Sequence, residues 1–498
     1  MRLLAAVCSV VLALSSRAPG QEVEWKEGST APLLQLTGEL FQLHFNGIYF
    51  KCPTNSQTLS NYGVFGVDLG IPVSFADKTV LLFGDTLSCA EKRDGDKLHF
   101  NPTDHWGKGD CIGFFEKPDF SRCNFIPDLE KRLAAGEKTP KADYANCPRL
   151  QIFKNKTAEP ARPIFWETAI SGLAKGQDLG TFDVPTGGFA LKDHLYVFYN
   201  VHHQGKVGEP VFMLDCVLAR SDHPSSEWKE GAPPTLTKLC DFSTHPDLAN
   251  TSEPPSEAES GGKFIHVAAV VLEQAAIGAE LRAGLPEALQ KAETLVFLLG
   301  SSWHYRHSNL YLAVAAGADL EALKPKGAKD ESKFWYCTGL DKGQPTWGHQ
   351  EHLAAPLIQN WSAVGPSFGE HSAVWNEKLG RFLLAYQEKP GHLQIRLAAT
   401  PWGPWPDPVT VLKRENLKTL IHFAKDDPIT LNHAPLFKKD GEPFTQDNAQ
   451  LGSMYGPYLF QESNLAEDGT VSVYFTLSTW NPYEVFLVKT SFSAPARK

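Results

Sequence analysis

Residues 66–86, which read GVDLGIPVSFADKTVLLFGDT, hold the pattern that decides the fold. Two apolar runs, 66–72 and 79–85, flank the polar break Ala76-Asp77-Lys78. Apolar runs of this length on either side of a short polar turn predict an antiparallel β-hairpin. A turn centred between Ala76 and Asp77 places Asp68 opposite Asp85 on one face, with Cβ atoms roughly 4.5–5.5 Å apart. A turn centred one residue later would change that register.

The second run of this hairpin has four counterparts further along the chain. The five segments are residues 80–85 (VLLFGD), 195–200 (LYVFYN), 295–300 (LVFLLG), 381–386 (RFLLAY) and 471–476 (VSVYFT). Most have another strand-like segment on each side. Repeats of roughly 90 residues with several strands each are typical of propeller blades. The alternative, two β-sandwiches in tandem, requires a linker near the middle of the chain, and none is evident. We therefore predict an all-β, five-bladed β-propeller.

Two stretches interrupt the repeat. Residues 87–180 are rich in Gly, Pro and Asp and contain Cys89, Cys111, Cys123 and Cys147, which predicts a long cysteine-rich loop insertion. Residues 273–293 are rich in Ala, Leu and Glu, which predicts a short helical insertion broken at Pro286.

Composition excludes several classes of function. With 42% hydrophobic and 21% charged residues, the 498-residue chain can bury a large core. Its net charge of −10, without a Lys/Arg-rich block, argues against nucleic acid as a partner. The P-loop and the Gly-x-Gly-x-x-Gly fingerprint are absent from the sequence, so the usual nucleotide-binding motifs do not apply.

The N-terminus has the pattern of an export signal. Met1-Arg2 precedes the apolar run 3–14, and Ala18-Pro19-Gly20 offers a cleavage site. We expect residues 1–20 to be a signal peptide and residues 21–498 to form one catalytic domain that is secreted or periplasmic. The alternative, a membrane anchor, needs a longer run. No later stretch approaches 18 apolar residues, so the mature protein is expected to have no membrane span.

Export changes the interpretation of the cysteines. Eight remain after the signal peptide: Cys52, Cys89, Cys111, Cys123, Cys147, Cys216, Cys240 and Cys337. An even number in an oxidising compartment predicts disulfides, with Cys216 and Cys240 as one candidate pair. Close Cys-x-x-Cys pairs are absent from the sequence, which argues against a zinc–thiolate site.

The paired aspartates of the first hairpin are candidates for catalysis. Two carboxyl groups that lie close together repel each other when both are ionised, so one keeps its proton to higher pH. An acid beside a base is what cleavage of a glycosidic bond requires. The alternative is an aspartate in a turn and another that caps a strand end.

The same register argument applies to three other blades. It places Glu370 opposite Tyr386, Tyr455 opposite Asn481 and Thr186 opposite Asn200, and His371 and Trp480 are neighbours of these positions. Aromatic rings beside hydrogen-bonding groups are typical of sugar-binding clefts, although each ring can instead belong to the core.

One arginine and several histidines also follow strand ends. Arg306 can bind a substrate anion or a carboxylate, or form a structural ion pair. Histidines at 202, 203, 304, 307 and 371 leave the metal question open, because a propeller channel can hold a structural or catalytic cation but no spacing here specifies one. We expect no cofactor to be required.

Several motifs resemble one bacterial family, long classed as a domain of unknown function, some of whose members are endo-D-arabinanases. The first is Val67-Asp68-Leu69-Gly70 with residues 82–86 (LFGDT). The others are 305–313 (YRHSNLYLA), 369–376 (GEHSAVWN), 402–405 (WGPW), 455–458 (YGPY) and 474–483 (YFTLSTWNPY). The resemblance runs from about residue 62 to 491 across all five repeats. Residues 87–180 and 273–293 do not match it.

The resemblance implies a five-bladed propeller with Asp68 and Asp85 as catalytic acid and base, in either order. Glu370 matches an acidic position of the family and is the third catalytic candidate. The expected function is a secreted glycoside hydrolase acting on a polysaccharide or oligosaccharide, arabinan-like or another glycan. The predicted substrate-binding residues are Arg306, His371, Asn200, Tyr455, Tyr458, Trp480 and Asn481. The alternatives are a non-catalytic glycan-binding propeller and a lyase or sulfatase-like enzyme acting on anionic polysaccharide. The net charge of −10 disfavours a polyanionic substrate.

Overall fold

The structure is a computed structural model. It describes residues 23–46, 48–88, 91–94, 97–100, 110–155, 162–163, 170–174, 177, 183–204, 212–228, 234–244, 262–303, 308–325, 329–359, 366–388, 391–420, 453–480 and 482–493. The expected signal peptide lies outside these residues and stays a prediction.

Strands make up most of the described chain. The first seventeen are β1 (Glu24–Trp25), β2 (Ala31–Gln35), β3 (Leu40–Phe45), β4 (Ile48–Pro53), β5 (Val64–Ser74), β6 (Lys78–Ser88), β7 (Glu91–Asp94), β8 (Lys97–Phe100), β9 (Ile112–Glu116), β10 (Gln151–Ile152), β11 (Lys154–Asn155), β12 (Arg162–Pro163), β13 (Ile170–Ser171), β14 (Pro185–Leu191), β15 (His194–Gln204), β16 (Phe212–Ser221) and β17 (Leu236–Thr244). The remainder are β18 (His266–Glu273), β19 (Thr294–Ser301), β20 (Leu310–Ala316), β21 (Trp335–Asp341), β22 (Gln344–Gly348), β23 (Pro366–Asn376), β24 (Arg381–Glu388), β25 (His392–Ala398), β26 (Val409–Leu412), β27 (Ser453–Leu465), β28 (Thr470–Trp480) and β29 (Val485–Ser493).

Helices are short. The α-helices are α1 (Thr58–Tyr62), α2 (Phe125–Ala134), α3 (Ala279–Ala283) and α4 (Gly317–Glu321), and 3₁₀ turns span Ser225–Glu227, Gln274–Ala276, Glu287–Leu289, Glu331–Lys333, Glu351–Leu353 and Arg414–Leu417. None of the helices in the described ranges has the length and apolar character needed to cross a membrane.

Five sheets form the blades of a propeller. Counted outward from the central channel, blade 1 is β5-β6-β9-β10, blade 2 is β14-β15-β16-β17-β13, blade 3 is β18-β19-β20-β21-β22 and blade 4 is β23-β24-β25-β26. Blade 5 is β27-β28-β29, with β1 and β2 both paired to β29. The five repeated segments lie on the second strand of each blade, so the predicted five-bladed propeller is confirmed.

Packing between neighbouring blades explains why those second strands are continuously apolar. In β15, Leu195 and Val197 are buried against blade 1, whereas Tyr196 and Phe198 are buried against blade 3. A strand with both faces buried needs apolar side chains at successive positions, so strict alternation is lost.

The ring closes where the two ends of the described chain meet. Strand β2 pairs with β29, and the Leu36 N–H donates to the Val485 carbonyl at 2.8 Å. This pairing completes blade 5 with N-terminal strands and covers what would otherwise be an open sheet edge.

The stretch 87–180 differs from the prediction. It contains β9 and β10, the third and fourth strands of blade 1, together with helix α2, so it is not simply a loop insertion. Strand β9 was not predicted from the sequence, because it is only five residues long and begins more than twenty residues after the end of β6. Helix α2 packs beside the N-terminal hairpin β3–β4, with Phe125 edge-on to Phe41 at 5.3 Å.

The cysteines also differ from the prediction. The seven that the structure describes, Cys52, Cys111, Cys123, Cys147, Cys216, Cys240 and Cys337, are free thiols, and Cys89 lies outside the described residues. Cys216 and Cys240 lie on the neighbouring strands β16 and β17 and are both buried but not bonded. Their burial identifies them as small apolar core side chains.

The expected helical insertion at 273–293 is present between β18 and β19. It consists of α3 between two 3₁₀ turns, with Pro286 directly before the second turn. Its apolar side chains, Ile277, Leu281, Leu285 and Leu289, are buried in the core between blades 3 and 4.

Candidate active site

The pairing predicted for the first hairpin agrees with the structure near the turn but is wrong at the two aspartates. Ser74 pairs with Thr79 and Ile71 with Leu82, as predicted, but an irregularity between Leu69 and Ile71 shifts the pairing by one residue. Asp68 therefore pairs with Gly84 and not with Asp85.

This irregularity is a bulge held by the neighbouring blade. Leu69 and Gly70 both adopt left-handed backbone conformations, with φ of 64° and 74°. The Leu69 N–H donates to Ser478 Oγ at 2.7 Å, and Thr476 Oγ1 donates to the Gly70 carbonyl at 2.9 Å. Asp85 is also left-handed, at φ 29°, which is costly for a residue with a side chain. Backbone strain at Asp85 and at Leu69, the residue after Asp68, is typical of a functional site.

Asp68 is buried, with 7% of its surface exposed. Tyr455 Oη donates to its Oδ2 at 3.0 Å, whereas Oδ1 has no hydrogen-bond partner within the described ranges. Burial raises the pKa of Asp68 well above its usual range, and the charges of Asp85 and Glu370 raise it further, while Tyr483 and Tyr455 oppose the rise. Asp68 therefore keeps its proton to a higher pH than an ordinary aspartic acid.

Tyr483 belongs to one cluster with Asp68, Asp85 and Tyr455, although it is not among the residues predicted from the sequence. Its hydroxyl donates to the Asp85 main-chain carbonyl at 3.1 Å. Burial, followed by the charge of Asp68, raises the pKa of Tyr483 well above its usual range, so it remains a hydrogen-bond donor. The sequence feature that could have indicated Tyr483 is the motif YFTLSTWNPY, of which it is the last residue. Tyr483 reaches the two aspartates only because the propeller ring closes and brings blade 5 beside blade 1.

Glu370 lies near Asp68, since its charge contributes to the Asp68 pKa, but not by the predicted pairing. The register of β23 with β24 shifts between Ser367 and Ser372, so Glu370 lies in an irregular stretch and does not face Tyr386. Tyr455 likewise pairs with Ser478 and not with Asn481.

Thr186 does not face Asn200 either, because it falls in an irregularity between Pro185 and Gly187. Four of the five inner strands thus carry bulges toward one mouth of the channel. A bulge adds an unpaired residue, so a register counted from the turn fails beyond it.

The predicted substrate-binding residues divide into four groups, the last of which is His371 with Tyr458. Tyr455 lies in the cluster. Asn200 is fully buried, and its side-chain oxygen and nitrogen have no partner in the described part of the chain. Arg306 and Asn481 lie outside the described residues, as does the side chain of Trp480, whose backbone pairs with Ser453.

The other two predicted substrate-binding residues, His371 and Tyr458, are buried in the protein interior. His371 is buried with Nδ1 2.6 Å from the Phe368 carbonyl and Nε2 3.0 Å from the Leu299 carbonyl, which leaves neither nitrogen for a sugar. Tyr458 is buried in the core between blades 1 and 2. Both line a cavity of about 260 Å³ in the central channel. Their prediction as substrate-binding residues is not supported by these contacts.

Among the residues with described positions, no group of three His, Cys, Asp or Glu side chains has a geometry that could hold a metal ion. Of the predicted histidines, His202 contacts Asp215, with Nδ1 3.3 Å from Oδ2. The side chains of His203, His304 and His307 lie outside the described part.

Residues 54–489 match the model of a family described as "Domain of unknown function (DUF4185)". The chain belongs to this family. The DUF4185 match spans all five blades and confirms the resemblance found in the sequence motifs. No curated protein matches the chain.

Solved structures with a similar shape are distant from this DUF4185 protein. A candidate hydrolase from Bacteroides ovatus is 12% identical with a TM-score of 0.43, and the match covers 93% of this chain and 97% of that one. The catalytic domain of a Coprinopsis cinerea GH62 α-L-arabinofuranosidase is 8% identical with a TM-score of 0.37, covering 95% and 99%. An exo-1,5-α-L-arabinanase from a bovine ruminal metagenomic library is 8% identical with a TM-score of 0.33, covering 86% and 94%.

Proposed function

We propose that this protein is a secreted glycoside hydrolase that cleaves a polysaccharide, with arabinan-like glycans as the first substrates to test. One observation carries the proposal: a buried carboxyl group, Asp68, lies within electrostatic range of a partly exposed one, Asp85, at a strained hairpin end. Two carboxyl groups whose surroundings push their pKa values apart are the usual acid and base of glycosidic cleavage.

The surroundings favour Asp68 as the general acid. Burial and two nearby carboxylates keep its proton in place, and Oδ1 accepts no hydrogen bond from the part of the chain that the structure describes. In the proposed reaction Asp68 gives this proton to the glycosidic oxygen as the bond to the anomeric carbon breaks. Asp85 acts as the carboxylate, either activating water or attacking the anomeric carbon.

Neighbouring groups have supporting roles. Tyr455 orients Asp68 through its hydrogen bond to Oδ2, and Tyr483 fixes the backbone of Asp85. Glu370 adds the negative charge that helps to keep Asp68 protonated. Asn200, Arg306, Trp480 and Asn481 remain proposed sugar-binding residues. This chemistry needs no cofactor, and the export pattern at the N-terminus supports a secreted or periplasmic location.

The test is release of reducing sugar from a panel of glycans by wild type, Asp68→Asn and Asp85→Asn. We expect turnover of at least one glycan by wild type and a loss of at least about 100-fold in both folded variants. Wild-type rates in both variants would refute the assignment. Binding without turnover across the panel would indicate the glycan-binding alternative, and an ultraviolet-absorbing unsaturated product would indicate a lyase.

A further inference from the structure

Directly after Tyr483, a second acidic side chain is buried at the closure of the propeller. Glu484 is 5% exposed. Thr37 Oγ1 donates to Glu484 Oε2 at 2.7 Å, and the Val485 N–H donates to the same threonine oxygen at 2.9 Å. The Glu484 carbonyl accepts the Thr479 N–H at 2.9 Å. Glu484 thus joins the end of β28, the start of β29 and the N-terminal segment after β2.

Gly38, in the N-terminal segment after β2, leaves the space that the Glu484 carboxyl group occupies. Gly38 adopts a left-handed conformation with φ of 82°. A Cβ on Gly38 would lie 2.2 Å from Glu484 Oε1, a separation at which backbone or carboxyl group has to move. Only glycine both adopts this left-handed conformation without strain and leaves room for the carboxyl group.

From Gly38 the hydrogen bonds continue to the strand that carries Asp68. The Gly38 N–H donates to Thr58 Oγ1 at 2.8 Å, and Thr58 Oγ1 donates to the Val64 carbonyl at 3.0 Å. Val64 is the first residue of β5, and Asp68 is four residues further on. Thr54 Oγ1 also donates to the Gly38 carbonyl at 2.7 Å.

We infer that Glu484 is a positioning residue, which holds Tyr483 on one side and the start of β5 on the other, and so fixes Asp85 and Asp68 relative to each other. The inference rests on the proposed function, because it assigns a role in aligning the two proposed catalytic carboxyl groups. It does not require Glu484 to touch substrate.

The carboxyl group of Glu484 acts as a hydrogen-bonding group and not as a charge. Burial raises its pKa well above the usual range, Thr37 opposes the rise and the charge of Glu39 adds to it. Glutamine has nearly the same shape and keeps an oxygen that can accept the Thr37 hydroxyl, so it should replace the neutral acid. Alanine would remove the acceptor and leave the Thr37 hydroxyl buried without its partner.

The chain offers a matched control at the other end of the same blade junction. Glu462 Oε1 accepts Ser74 Oγ at 2.8 Å and Thr79 Oγ1 at 3.0 Å, which also joins blade 5 to blade 1. These contacts lie beside the turn of the first hairpin, away from Asp68 and Tyr483. Glu462→Ala therefore removes a comparable set of bonds without disturbing the cluster.

The experiment compares Glu484→Ala, Glu484→Gln and Glu462→Ala in the full chain by hydrogen–deuterium exchange and by steady-state kinetics. We expect Glu484→Ala to speed exchange about tenfold in β5 and at Val485, and to lower kcat about tenfold with KM changed less than about threefold. Glu484→Gln should restore both readouts, and Glu462→Ala should leave exchange in β5 before Gly70 and kcat at the wild-type level.

Two results would overturn the inference. One is unchanged exchange near Asp68 and unchanged kcat in a folded Glu484→Ala variant. The other is an equal loss of kcat in Glu462→Ala, which would show a general effect of stability. If wild type cleaves no glycan, the proposed function fails, whereas the exchange comparison still decides whether Glu484 holds the two segments.

Discussion

Replacing Gly84 by alanine should disturb Asp68 without removing any functional group. A Cβ on Gly84 would lie 2.8 Å from Asp68 Oδ1, 2.8 Å from Leu69 Cδ1 and 2.9 Å from Val184 Cγ1. Ordinary contact begins near 3.4 Å, so the Asp68 carboxyl group has to move by roughly 0.6 Å. Overpacking of this kind costs about 1–3 kcal/mol of the free energy of unfolding. A displacement of about 1 Å at a catalytic group can cost about 100-fold, so we expect kcat/KM to fall at least about tenfold.

Gly113→Ala provides the control, because its Cβ would lie 2.8 Å from both Leu150 Cδ1 and Phe83 Cε2, in the outer part of blade 1. Both variants should lose similar stability in urea denaturation, but only Gly84→Ala should lose activity on the glycan cleaved by wild type. If the two variants lose the same stability and keep kcat/KM within about threefold of each other, the placement of Asp68 at the reacting bond is refuted.

Three further predictions concern the same cluster and the cysteines. In thermal denaturation, Asp68→Asn should be more stable than wild type at pH 7 but not below about pH 4. The native state holds the Asp68 proton more tightly than the unfolded chain, in which the pKa of this aspartate is near 3.8. The stability of the wild type therefore falls as the pH rises above that value. Equal stability at pH 7 would contradict the raised pKa. Tyr455→Phe removes a bond that lowers the Asp68 pKa, so the loss of kcat/KM at high pH should shift to higher pH, with a decrease of about 2- to 10-fold at the optimum. A shift to lower pH would contradict Asp68 as the acid. Oxidised glutathione should link Cys123 and Cys147, two free thiols close enough for each to shift the pKa of the other, by thiol–disulfide exchange that releases two glutathione thiols. Mass spectrometry should show the cross-link in wild type but not in Cys123→Ser, and denaturation should show a gain of about 3 kcal/mol.

The blades could be predicted from the sequence because their signal is local. The run LYVFYN in β15 is apolar at successive positions since its two faces pack against different blades, and the same physical demand recurs in each second strand. Strand β9 lacked that signal, because its five residues are far along the chain from their partner β6.

The candidate site was predictable in its members but not in its geometry. Asp68 was found from a turn eight residues away, but its final position depends on a bulge at Leu69. That bulge is held by the Ser478 hydroxyl, 409 residues further along the chain. No pattern within one hairpin contains this contact. Tyr483 was missed for the same reason, since only the ring closure brings it to Asp85.

The dependence of rate on the leaving group tests the central claim most directly. Aryl glycosides of the sugar released by wild type would be assayed with Asp68→Asn and Asp85→Asn. A good leaving group departs without protonation, so loss of the general acid should matter little for an activated aryl glycoside and greatly for a poor one. We expect Asp68→Asn to approach wild-type bond cleavage on the activated substrate while Asp85→Asn stays at least about 100-fold slower on both. Equal impairment of Asp68→Asn on both substrates, or wild-type rates in Asp85→Asn, would contradict the account.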